Sequence, residues 1–114
     1  MVAKTFGGAV LGVDAVTITI ETTVTSGTKY FVVGLPDNAV KESQHRIESA
    51  LKQEGYFIPR QKIIINLAPA DIRKEGAAFD LTMAIGLLHS SNQLKSNFID
   101  KYMIMGELGL DGEL

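Results

Sequence analysis

The residues best equipped for chemistry crowd into "APADIRKEG", residues 68–76, where Asp71, Arg73, Lys74 and Glu75 share one short loop and Asp80 opens the apolar run beyond it. A dense charged loop between two buried elements often marks a site. Asp71, Glu75 and Asp80 are candidates for an acid/base pair. Arg73 and Lys74 lie among them, so a salt-bridged structural loop is the commoner outcome. Nucleophilic catalysis by a lysine-activated serine would suit a helix start, where free N–H groups stabilise an oxyanion. Here Ala77 and Ala78 follow Lys74-Glu75-Gly76, and neither side chain can attack a substrate. The nearest downstream serines, Ser90 and Ser91, fall at the far end of the next helix, roughly 15 Å from its start at the helical rise per residue. The loop has the setting of a catalytic site without its nucleophile.

Other chemistry is weaker still. Gly7 and Gly12 have the spacing of a phosphate loop, but Val13 and Asp14 stand where lysine and a hydroxyl are needed, and an aspartate there repels phosphate. "GELGLDGEL" fails the dinucleotide fingerprint, since its glycines are three apart and no helix follows. His45 and His89 sit on different helices with no ligand partner at i+4, which argues against a metal site. The face "DNAVKESQHR", with Lys41 and Glu42, reads as a solvated helix surface or as a docking face for another domain or subunit.

The bulk numbers narrow the class. A chain of 114 residues fits one domain with one core. Eleven basic residues against thirteen acidic ones leave a formal charge of -2, which gives no support to general electrostatic attraction for nucleic acid. With no cysteine, disulfides and thiolate metal sites are excluded, and a reducing cytoplasm is the simplest home. No apolar run is long enough to span a bilayer, so no membrane is expected. The start "MVAKTFGGAVLGVD" is faintly like a signal peptide, but it reads far better as a first strand.

Three strands, a helix, a strand, a helix and a strand must position the loop. Val16, Ile18, Ile20 and Val24 alternate with polar residues, the period of a half-buried strand. "TSGT" is a turn and "KYFVVGL" an antiparallel return, so the first three strands read as a meander. Pro36 and Asp37 announce one amphipathic helix, with Asp37 as its cap and Gly55 as its stop. Val40, Ile47, Ala50 and Leu51 form its inner face; Lys41, Glu42, Arg46, Glu48 and Lys52 form its outer face. "KIIINLA" is a continuous apolar strand, expected to be buried on both faces. The second helix, over about residues 78–90, is apolar nearly all round and belongs at the centre of the packing. "KYMIMGELGL" reads as a last strand and Asp111-Gly112 as a hairpin turn. A hairpin with so little after it implies a piece of a longer chain. The fold class is α+β, an α/β sandwich in the order β-β-β-α-β-α-β.

Three blocks carry a resemblance: "VVGLPDNAVKESQHRIESAL", "INLAPADIRKEGAAFDLTMAIGLL" and "MGELGLDGEL". Together and in this order they resemble the N-terminal domain of the magnesium-chelatase-like AAA+ ATPases, the competence-protein ComM or YifB group. The resemblance implies a fold similar to the proteolytic domain of Lon proteases, shared with a ribosomal-protein domain and the GHMP kinases. Arg73, Lys74, Glu75, Gly76, Ala77 and Ala78 fall on the Lon motif Pro-Lys-Asp-Gly-Pro-Ser, so Ala78 takes the place of the serine. The Lon lysine partner would lie downstream of this chain. The resemblance further implies an accessory domain without catalysis or a cofactor of its own. A downstream ATPase module would use ATP and magnesium, its partners being that module, neighbouring subunits and DNA. On this reading Asp71, Arg73, Lys74, Glu75, Asp80, Lys41 and Glu42 form a candidate interaction surface. A Lon-type peptidase with another nucleophile and a stand-alone nucleic-acid-binding module are the alternatives.

Overall fold

A computed structural model describes residues 2–114 of the chain. The alternation in the first third of the sequence produces a long antiparallel hairpin, β1 (Val2–Leu11) with β2 (Asp14–Thr25). Ile18, Ile20 and Thr22 of β2 point to the core at 0 % exposure, and Ala3 and Thr5 of β1 join them. Leu11 lies opposite Asp14, so Gly12 and Val13 make the turn, with Gly12 in the left-handed region at φ +64. The glycines at positions 7 and 12 therefore belong to a strand and its hairpin turn, and no helix follows them.

The remaining strands are β3 (Tyr30–Val33) and β4 (Lys62–Ala68), and the sheet order is β1-β2-β4-β3. This overturns the expected meander. β4 inserts between β2 and β3, antiparallel to the former and parallel to the latter. Every residue of β4 finds a partner on β2, from Lys62 opposite Thr25 to Ala68 opposite Thr19, whereas β3 has only four residues to offer. The longer strand takes the inner place, and β3 joins the far side through a helical crossover, as parallel neighbours require.

β4 was also expected to be buried on both faces. Ile63, Ile65 and Leu67 are fully buried, but Lys62, Ile64, Asn66 and Ala68 are only half-buried. The helices pack on one face of the sheet, and the other face keeps contact with solvent. On that open face the Asn66 amide donates to the Glu21 carboxylate at 3.0 Å across the β2–β4 pair.

The expected single helix after Pro36 is two, α1 (Asn38–Lys41) and α2 (Ser43–Gln53), joined at Glu42. Asp37 caps α1, its Oδ1 accepting from the Val40 N–H at 2.8 Å. α2 ends as Gly55 predicts. The Tyr56 N–H reaches the Leu51 carbonyl at 2.8 Å and the Gly55 N–H reaches that of Lys52 at 3.3 Å, with Gly55 at φ +84. That pair of bonds satisfies carbonyls the helix end would otherwise leave free.

α3 (Asp80–Ser90) lies at the centre of the helical layer, with Met83 and Leu87 at 0 % exposure against Ile47 of α2. Each such side chain contributes about 1.5–3 kcal/mol of burial. Gly86 lets α3 come close to β2, since a Cβ there would stand 2.9 Å from the Thr22 hydroxyl.

The last expected strand does not form among the described residues. A 3-10 turn at Ile99–Lys101 precedes an extended segment that touches the sheet at one bridge, Phe6 with Met103. The Ile104 N–H donates to the Phe6 carbonyl at 2.7 Å. The next steps go elsewhere: Gly106 donates to the Ala78 carbonyl at 2.7 Å and accepts from the Leu81 N–H at 3.0 Å. The first turn of α3 offers a free N–H at Leu81 and the residues just before it offer the Ala78 carbonyl, and together they draw the segment off the edge of β1. The turn at Asp111-Gly112 is present, with Gly112 at φ +91 and its N–H on the Gly109 carbonyl.

Candidate functional site

The charged loop runs from the end of β4 to the start of α3, and it faces the tip of the β1–β2 hairpin. Between them lies a cleft of about 550 Å³, lined by residues 8–11 of β1 on one side and by Asp71, Ile72, Arg73 and Glu75 on the other, with Phe79 and Met105 completing it. Three of the charged residues singled out in the sequence, Asp71, Arg73 and Glu75, therefore share one solvent-open cleft. Arg73 and Glu75 form an ion pair at 3.3 Å with side chains 68 % and 70 % exposed. In that setting the pair gains about 0–1 kcal/mol.

Lys74 is not on this surface. Its side chain is fully buried, and its ammonium donates to the Gly34 carbonyl at 2.7 Å and to that of Pro69. The Lys74 N–H also donates to the Leu35 carbonyl at 3.0 Å, and its carbonyl accepts from the Asp37 N–H at 2.9 Å. Burial pushes this ammonium below the ordinary lysine range, an effect the Asp71 carboxylate opposes. The lysine sits here because the segment it holds is constrained. Gly34 adopts φ +102 where a Cβ would stand 2.1 Å from the Leu67 carbonyl oxygen, and Leu35 follows at φ 56. A side chain in that conformation carries strain, and Lys74 ties the segment down from both its backbone and its side chain.

Asp37 does a second job beyond its cap. Its Oδ2 accepts from the Gly76 N–H at 3.0 Å, so one carboxylate joins the start of α1 to the end of the charged loop. Burial works to raise its pKa. Hydrogen bonds from Val40 and Gly76, the charge of Arg73 and a bond from Ala39 outweigh that and hold it below the usual carboxylate range.

Asp80 is buried too, at 1 % exposure, and its partner is Arg46 rather than a loop cation. Arg46 Nε donates to Oδ2 at 2.6 Å and Nη2 to Oδ1 at 2.9 Å, and the Leu108 N–H adds a bond to Oδ2 at 3.2 Å. Arg46 Nη2 also reaches the Ala39 carbonyl at 2.6 Å. This corrects the placing of Arg46 on the outer helix face. With both oxygens hydrogen-bonded, Asp80 is a structural clamp joining α2, α3 and the C-terminal segment. Its charge, behind the larger effect of burial, also holds the Tyr30 phenol well above its ordinary range.

Lys41 and Glu42 stand exposed where α1 meets α2, outside the cleft lining. Ala78 is exposed just before α3. Among the described residues, the lining of the cleft carries no serine, threonine, cysteine or lysine side chain. Sequence reasoning missed Arg46, Met105 and the hairpin tip as parts of this region. Arg46 and Asp80 are 34 residues apart, and no periodicity links them. The hairpin tip gave a signal in its apolar "AVLGV", which a surface turn seldom needs.

Comparison with known proteins gives a consistent picture. The family model for the subunit ChlI of magnesium chelatase matches residues 20–114. Over 107 residues the chain is 49 % identical to the protein YifB of Escherichia coli K12, covering 93 % of this chain and 21 % of that protein. Over 113 residues it is 42 % identical to the competence protein ComM of Haemophilus influenzae, covering 98 % and 22 % respectively. The chain thus spans about a fifth of the length of the curated relatives it matches.

Proposed function

Because the chain belongs to the magnesium-chelatase ChlI family, in the group that includes YifB and ComM, we propose that it is a non-catalytic accessory domain of a ComM-like AAA+ ATPase. Its fold, on this reading, is of the Lon-protease type. Helices on one face of a mixed sheet support this, with the charged loop leading into α3. ATP and magnesium belong to a module outside these 114 residues. Residues 7–14 do not fit a phosphate, because they form a strand end and a hairpin turn followed at once by Asp14 at the start of β2. The longer protein works on DNA in the cytoplasm, and this domain docks onto the ATPase module or a neighbouring subunit.

One observation carries the proposal. The charged loop spends Lys74 on its own anchoring and leaves Asp71, Arg73 and Glu75 exposed on the rim of an open cleft. A rigid base beneath an exposed charged rim suits recognition. A Lon-type peptidase is disfavoured by Ala78, which stands at the serine position of the resemblance.

The test is the double variant Arg73→Ala, Glu75→Ala in the full-length protein. Assembly, or ATP turnover stimulated by DNA, should fall about fivefold or more, the lower end of ordinary coupling between sites. The melting temperature should stay where it is. Unchanged assembly and turnover would remove the loop from the proposal.

A further inference from the structure

The outer edge of β1 is only partly used. Phe6 gives its carbonyl to Ile104, and Gly8 gives its N–H to the thioether of Met105 at 3.3 Å. Both groups point away from β2. Backbone groups of alternate residues in a strand share a direction, so the Gly8 carbonyl and both backbone groups of Val10 point the same way. That side of the strand is the cleft, and no backbone bond among the described residues reaches Val10 there. A thioether is a weak acceptor on a flexible side chain, so Met105 is easily displaced from Gly8.

We infer that this edge, at Gly8 and Val10, receives an extended segment of another polypeptide, which adds to β1 as a strand inside the cleft. The inference deepens the docking role proposed above and rests on the cleft being the contact surface. The chain itself sets the precedent. Its own residues 103–104 already lie on the same edge at Phe6, and they leave it two residues before the cleft begins. An incoming strand continues the line that this segment abandons.

The chemistry of the cleft selects the occupant. A row of alternating backbone donors and acceptors is matched by another backbone. A phosphate chain offers acceptors alone and leaves the carbonyls without partners. The rim carries two carboxylates, Asp71 and Glu75, against one guanidinium. Arg73 is engaged with Glu75, which leaves Asp71 exposed and outside any ion pair among the described residues. The excess negative charge repels nucleic acid and favours a strand with a basic residue facing Asp71. Beside it, Val10 at 79 % and Leu11 at 56 % exposure offer apolar contact to an aliphatic neighbour. The occupant is therefore an extended peptide that combines a basic residue with aliphatic ones.

The experiment selects from a displayed library of random ten-residue peptides against the chain and then measures the enriched sequences against Val10→Pro. Proline removes only the outward N–H at this edge position, which strands tolerate. The expected result is enrichment of aliphatic sequences with a basic residue, with at least tenfold weaker binding to Val10→Pro. Should that variant fold poorly, hydrogen exchange of the native chain gives the same reading: the Val10 amide should slow at least tenfold when an enriched peptide binds. Failure to enrich any peptide overturns the inference, as does binding that leaves the Val10 amide unprotected or is indifferent to the proline. The two readings fail separately. If peptides do not bind but Arg73→Ala, Glu75→Ala still impairs the full-length protein, the docking role stands without the strand. If peptides bind and that double variant is silent, the edge site stands without the docking role.

Discussion

The molecule holds two arginine–carboxylate pairs that look alike in composition and differ in consequence. Arg46 meets Asp80 with two bonds, one partner at 22 % and the other at 1 % exposure. Arg73 meets Glu75 once, at 3.3 Å, with both partners about seven-tenths exposed. The first pair joins three segments and has no freedom to meet anything else. The second is held loosely above an open cleft. Burial, and not charge density, separates the part of this region that holds the fold from the part available to a partner. Lys74 shows the same division within the loop itself: it sits between two exposed neighbours, yet its own side chain points inward to two carbonyls.

The comparison can be broken at graded cost. Arg46→Ala should be the most damaging change, because it strands the buried Asp80 carboxylate; removing one member of a buried pair costs about 3–5 kcal/mol. Thermal unfolding should show a drop of roughly 12 °C or more for a chain of this size, and a shift of only a degree or two would mean that water reaches Asp80. Lys74→Met comes next. It keeps the length of the side chain but removes the donor from the Gly34 and Pro69 carbonyls, at about 2 kcal/mol. Urea unfolding measures this, and a neutral result would release Lys74 from its structural role. Asp37→Ala should cost about 1 kcal/mol at neutral pH, the ordinary value for a lost helix cap.

The Asp37 variant also has a pH signature. The carboxylate has a lower pKa folded than unfolded, so its contribution is fully present above the unfolded value near 4. It fades as pH falls through the lowered folded value. The gap between wild type and Asp37→Ala in urea midpoint should therefore narrow below about pH 4; a gap that stays constant to pH 2 would sink the assignment. At the small end of the scale lies the exposed pair, whose double alanine variant should affect partners while leaving stability within about 0.5 kcal/mol.

Much of the frame was legible from local signals. The alternation of β2, the cap at Asp37, the stop at Gly55 and the central place of α3 each depend on a few neighbouring residues, and each is where the pattern puts it. What was not legible depends on partners distant in sequence. Alternation shows that "KYFVV" is a strand but not which strand it joins, so the parallel pairing with β4 was invisible. The segment after residue 101 has strand-like composition, but competition from the free groups at the start of α3 decided its path. Lys74 misled because its charge predicts exposure, and only the strained turn at Gly34 and Leu35 explains why an ammonium belongs beneath it.

The strand order also bears on how the chain comes to be made. β2 and β3 are neighbours in sequence and leave the ribosome well before β4, yet the finished sheet keeps them apart. Until residue 68 has emerged, the inner edge of β2 has no native partner, and β3 is the strand closest at hand. A nascent chain that closes the simple three-stranded sheet must open it again to admit β4. The seven residues of β4 against the four of β3 provide the bias for that exchange. Long-range pairing of this kind is slow to form and leaves an open edge meanwhile. For this domain the hazardous interval of synthesis is the stretch between residues 33 and 68, when a sticky strand waits for a partner that has not yet been translated.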